Sequence, residues 1–166
     1  MSSTAGNQWL SPDRITNGYL QDLTQRFDVK GFLGVFPCDL LPKRLKSSEC
    51  VIVNTHPHRK NGEHYVCVKK TNGGCAYFDP LCLDPTLAFP EMSKHLRIYA
   101  PLRPVLSRPV QHLSSKFCGL YCLDYLLSTT KGFEKMKREK YGADLLQNDY
   151  LCVQNVIGYA EINRNE

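Results

Sequence analysis

At 166 residues the chain has the length of one domain, and a core of that size needs no metal or disulfide staple to fold. Hydrophobic residues at 42% and charged residues at 22% exclude a disordered or fibrous chain, and no apolar run reaches the ~18 residues of a membrane span. The net charge of +5 is modest, so the clusters Lys43, Arg44, Lys46 and Lys135, Lys137, Arg138, Lys140 read first as solvated faces; phosphate contact with nucleic acid stays open, without a base-reading motif.

Met1 to Gln8 is small and polar, lacks the basic-then-apolar layout of a signal peptide, and makes residues 1–11 a loose tail. Ser11-Pro12 is a helix-start signal, and Ile15, Tyr19, Leu20, Leu23 and Phe27 recur near helical spacing, which predicts an amphipathic helix over 12–27. Residues 31–42, broken by Gly and Pro, are expected to form a loop with a short extended piece. Strand-like runs follow at 50–53, 65–68 and 76–78, the last two joined by Thr71-Asn72-Gly73-Gly74, a hairpin signal. Residues 80–90 are proline-rich and read as loop, with a short helix over 91–96 and two short strands at 97–100 and 109–111. Phe117 to Leu127 is apolar on nearly every side and predicts a buried central helix. A final helix is expected over about 149–162. The expected architecture is a single α+β domain with a mostly antiparallel central sheet around the buried helix.

Of eight cysteines, Cys50, Cys67, Cys122 and Cys152 sit inside apolar runs, where cysteine behaves as a small hydrophobe. Together with the polar N-terminus this points to free thiols in a reducing, intracellular setting rather than a disulfide scaffold. His56-Pro57-His58 is a weak candidate for a metal site, since no Cys-x-x-Cys pair accompanies it and Pro57 constrains the loop.

Cys118 opens the central helix, where the dipole and free N–H groups favour a thiolate, the nucleophilic form of cysteine. A structural thiol at a helix start is the competing reading. His64 stands at the start of a strand, just after a turn, and is suited to take a proton from a thiol; an ordinary turn histidine is the alternative. Asp79 ends the next strand of the same hairpin, so it lies near His64 and can hold the imidazole in the required tautomer. Asp79-Pro80 is equally a common turn pair. Gln111, seven residues before Cys118, can donate its amide to an oxyanion. Gly119 lets a substrate backbone approach closely.

The ordered set Gly62-Glu63-His64-Tyr65, Tyr77-Phe78-Asp79-Pro80, and Gln111 through Cys118-Gly119-Leu120-Tyr121-Cys122 resembles the adenovirus-type cysteine endopeptidases (adenain-like), which share a papain-like fold with the Ulp-type proteases of ubiquitin-like modifiers. Val51-Ile52-Val53-Asn54-Thr55, the leading helix and Phe32-Leu33-Gly34 also resemble the viral enzyme, so the likeness covers roughly residues 15–130. It implies Cys118 as nucleophile, His64 as base, Asp79 as its orienter and Gln111 in the oxyanion hole, with no metal and no cofactor needed for the chemistry. Tyr65, which would form part of the cleft wall, stands where the family more often has tryptophan. Asp79 stands where the adenoviral enzyme has glutamate, although aspartate is usual in the Ulp-type relatives.

The resemblance further implies cleavage of capsid or precursor proteins near glycine during virion maturation, in the host nucleus or cytoplasm or the virion. It also implies activation by DNA and by a capsid-derived peptide that adds a strand to a sheet edge, with no membrane partner. No cysteine lies between Cys82 and Cys118 to hold such a peptide covalently. Two other readings are an isopeptidase that removes a ubiquitin-like modifier and a catalytically inactive binding module of the same fold.

Overall fold

A computed structural model of the chain describes residues 15–62, 64–130 and 140–162. The first helix, α1 (Asn17–Arg26), begins later than the periodicity predicts. Thr16 caps it by accepting the Tyr19 N–H on its side-chain oxygen at 3.2 Å, while the Ser11-Pro12 signal and the N-terminal tail fall outside the described residues. Leu20 and Leu23 bury its apolar face, and Phe27 follows as the C-cap.

Five strands form one sheet in chain order: β1 (Phe32–Pro37), β2 (Cys50–Asn54), β3 (Tyr65–Thr71), β4 (Gly74–Phe78) and β5 (Leu102–Pro104). The β2–β3 and β3–β4 pairs are antiparallel, but β1 runs parallel to β2 and β5 parallel to β4. The sheet is therefore mixed, not mostly antiparallel. Long connections cross back between β1 and β2 and between β4 and β5, and a crossover returns the chain in the same direction. The predicted hairpin is present: Thr71 pairs with Gly74, and Gly73 takes φ +84°, which a side chain would disfavour.

The crossover to β5 carries α2 (Pro85–Ala88), α3 (Pro90–Leu96) and a 3₁₀ turn over Arg97–Tyr99 where a strand was expected. The strand forms instead at 102–104, where Pro101 and Pro104 are tolerated because an edge strand leaves one row of N–H groups unused. Residues 109–111 are not a strand either, since the N–H groups of Val110 and Gln111 both donate to the Pro80 carbonyl. The central helix α4 (Cys118–Ser128) and the final helix α5 (Leu145–Ile162) complete the fold. The Asp144 side chain accepts the N–H groups of Leu146 and Gln147 and so starts α5 four residues before the expected point.

Every residue of β2 is buried because both sheet faces are covered, which explains its unbroken apolar run. On one face Ile52, Cys67 and Phe78 pack with α1, α4 and Cys152, Val156 and Tyr159 of α5. On the other, Val51, Val53, Val66 and Val68 pack with Met92, Leu96 and Tyr99. Each such side chain contributes about 1.5–3 kcal/mol on burial. None of the eight cysteines forms a disulfide, and seven are buried. Among the described residues no helix is long and apolar enough to cross a membrane.

Candidate active site

The end of β4, the residue before β3 and the start of α4 come together at one end of the sheet. His64 lies one residue before β3 and still joins the sheet, its carbonyl accepting the Thr55 N–H at 3.0 Å. The turn leading to it is tightly set. Asn54 presses so close to Gly62 that an added Cβ would sit 1.5 Å from Asn54 Nδ2, and Asn54 Oδ1 accepts the His56 N–H at 3.0 Å.

Asp79 follows β4 directly. Its Oδ1 is 2.7 Å from His64 Nε2, and the turn after it donates the Leu81 N–H to Oδ1 at 2.9 Å and the Leu83 N–H to Oδ2 at 3.2 Å. The carboxylate is thus fixed by its own turn before it touches the histidine. His64 and Asp79 are both buried, at 7% and 3% exposure, so their hydrogen bond is poorly screened by water.

With Nε2 engaged by Asp79, Nδ1 is the ring nitrogen left over, and Cys118 lies near enough to the imidazole to act on its pKa. Burial alone would lower the His64 pKa, but the hydrogen bonds to Asp79 and Cys118, and their charges, raise it to about 9. The imidazole is accordingly held as a cation at neutral pH. Cys118 is the first residue of α4 and is 4% exposed, with its backbone N–H in the turn that lacks intrahelical acceptors.

Gln111 joins this group through its neighbours. Its N–H donates to the carbonyl of Pro80, next to Asp79, and its Nε2 donates to the carbonyl of Ser115 at 3.0 Å, three residues before Cys118. One N–H of that amide is thereby spent and the second makes no bond among the described residues, where Oε1 is likewise buried without a donor.

One expected role changes. The bare side of Gly119 faces α1 rather than open space for a substrate, since an added Cβ would lie 2.5 Å from Leu20 Cδ1 and 3.0 Å from Ile15 Cγ2. Glycine is required there for helix packing. Tyr65 is buried in the core and donates its hydroxyl to Asn17 Oδ1 at 2.6 Å. It does line a cleft of about 460 Å³, together with Ile15, Asn17, His56 and Gly62. A second cleft of about 350 Å³ opens beyond Asp79, between Tyr77, Leu83, Pro85, Pro104 and Leu106.

Phe89, between α2 and α3, was not legible as part of the site. Its ring stacks on His64 with centroids 5.6 Å apart and planes 21° apart, covering the imidazole from the side of the second core layer. Nothing in a proline-rich loop marks such a residue. Cys122, one turn after Cys118, is fully buried with its thiol directed at the Tyr65 carbonyl, and burial pushes that thiol well above the ordinary range. His58 is engaged by Asp39 at 2.5 Å, and among the described residues no group of three or more His, Cys, Asp or Glu side chains is arranged to hold a metal ion. The chain matches no protein-family model, and no curated protein matches it.

Proposed function

We propose that this chain is a cysteine endopeptidase of the adenovirus-type, papain-like fold. The observation that carries the reading is the buried His64–Asp79 hydrogen bond at 2.7 Å, with Cys118, at the start of α4, close enough to the same imidazole to raise its pKa. The thiolate attacks the scissile carbonyl carbon, and the electron pair of the C=O bond moves onto oxygen. The second N–H of Gln111 Nε2 and the backbone N–H of Cys118 stabilise that oxyanion. Collapse breaks the C–N bond while the His64 imidazolium gives its proton to the leaving amine, leaving a thioester on Cys118. His64, now neutral, takes a proton from water, the hydroxide displaces the thiolate, and a carboxylic acid departs.

The low exposure of Cys118 and His64 favours a thin substrate backbone, in keeping with cleavage near glycine. The natural substrates proposed are capsid or precursor proteins, with a strand-adding peptide or DNA as activators. The test is labelling with a thiol-reactive glycine peptide and hydrolysis of a glycine-containing peptide, each with and without DNA. Cys118→Ala should abolish both and Cys122→Ala should retain both. Equal labelling of the two variants would sink the proposal.

A further inference from the structure

The loop from Val110 to Phe117 carries the oxyanion donor and leads straight into the nucleophile, yet it contains no helix or strand of its own. Its two ends are held from α5. Asn148, 1% exposed, donates its Nδ2 to the Val110 carbonyl at 2.9 Å, and is itself locked by accepting the Gly142 N–H at 2.8 Å and donating to the Gly142 carbonyl at 3.0 Å. Asp149 Oδ1 accepts the Ser115 hydroxyl at 2.9 Å and the Tyr121 hydroxyl, from α4, at 2.8 Å. Ser115 is the hub. Its carbonyl takes the Gln111 amide, and its Oγ accepts the Phe117 N–H at 3.2 Å, one residue before Cys118.

We infer that the first turn of α5 is a clamp on the oxyanion loop, with Asn148 and Asp149 as positioning residues that set Gln111 against Cys118 through Val110 and Ser115. This rests on the endopeptidase reading above. The chemistry fits the need. A donor aimed at a developing charge is effective only when its direction is fixed beforehand, and a bare loop does not fix it. Asp149 ties Ser115 and Tyr121 to one oxygen, so the loop and the helix bearing the nucleophile share a single anchor. None of these bonds touches His64 or Asp79, which separates the clamp from the His64–Asp79 pair.

The experiment compares the full chain with Asp149→Ala, Asp149→Asn and Ser115→Ala in four readouts: kcat and KM on a glycine peptide, inhibition by a glycine peptide aldehyde, Cys118 alkylation by iodoacetamide, and Tm. An aldehyde adduct places an oxygen in the oxyanion hole; alkylation does not. Asp149→Ala should lower kcat and weaken the aldehyde by a similar factor of roughly 10, less than the ~100-fold expected for losing Gln111 itself, with KM and the alkylation rate unchanged. Asp149→Asn, which keeps an acceptor oxygen, should recover most of the loss, and Ser115→Ala should reproduce Asp149→Ala should the latter fail to fold. Unchanged kcat in folded Asp149→Ala, a parallel loss of alkylation, or no recovery in Asp149→Asn overturns the clamp alone. A wild-type chain inert to peptide and aldehyde overturns the endopeptidase reading beneath it.

Discussion

His64 is pulled two ways, and the winner sets a pH profile. Burial favours the neutral ring, whereas Asp79 and Cys118 favour the cation and lift its pKa to about 9. Since the folded value lies above the unfolded one near 6.5, the stability it contributes is full below about pH 6.5 and is lost as pH rises through about 9. The proposed mechanism needs the same cation to protonate the leaving amine, so kcat/KM should fall on an alkaline limb near pH 9. In Asp79→Ala that limb should move to lower pH, read from the rate profile; an unmoved limb would remove Asp79 from the role given to it. His64 and Asp79 were legible together because one hairpin sets them side by side, whereas a helix start alone leaves Cys118 a structural thiol and only the ordered resemblance joined it to them. Phe89 and Ser115 were not, because their contacts come from a loop whose path only the packed fold determines.

At the level of elements, α4 is the piece whose sequence speaks most directly: an unbroken apolar run became a helix buried along nearly its whole length. Gly119 within it has a consequence that separates packing from catalysis. Gly119→Ala forces Leu20 and Ile15 apart and should cost about 1–3 kcal/mol, seen as a lower Tm, with KM for peptide little changed. A raised KM at unchanged Tm would return Gly119 to the substrate-contacting role first expected of it. The start of α5 was within reach of the sequence, for Asp144 with Gln147 three residues on is an N-cap pattern. The β5 strand was not, because its prolines argue against any strand and only its edge position admits them.

For the molecule as a whole, α5 closes the core layer that holds α4. Cys152, Val156 and Tyr159 are each fully buried in that layer. A chain ending after Thr130 should therefore expose the outer face of α4, bind a hydrophobic dye and lose a cooperative thermal transition; a cooperative transition in that truncation would show that α5 is dispensable to the core. The α+β class followed from runs and turns, but the mixed sheet did not, since strand direction depends on long crossovers that leave no local mark.

The order of parts along the chain carries a further consequence for biosynthesis. His64 and Asp79 are 15 residues apart across one tight turn, whereas Cys118 and then α5 come much later. During translation the base and its orienter emerge first and can pair while the thiol is still being made. The loop preceding the thiol gains its anchors only when Asn148 and Asp149 leave the ribosome. On the endopeptidase proposal, a nascent chain would therefore lack a held oxyanion loop until α5 has been made.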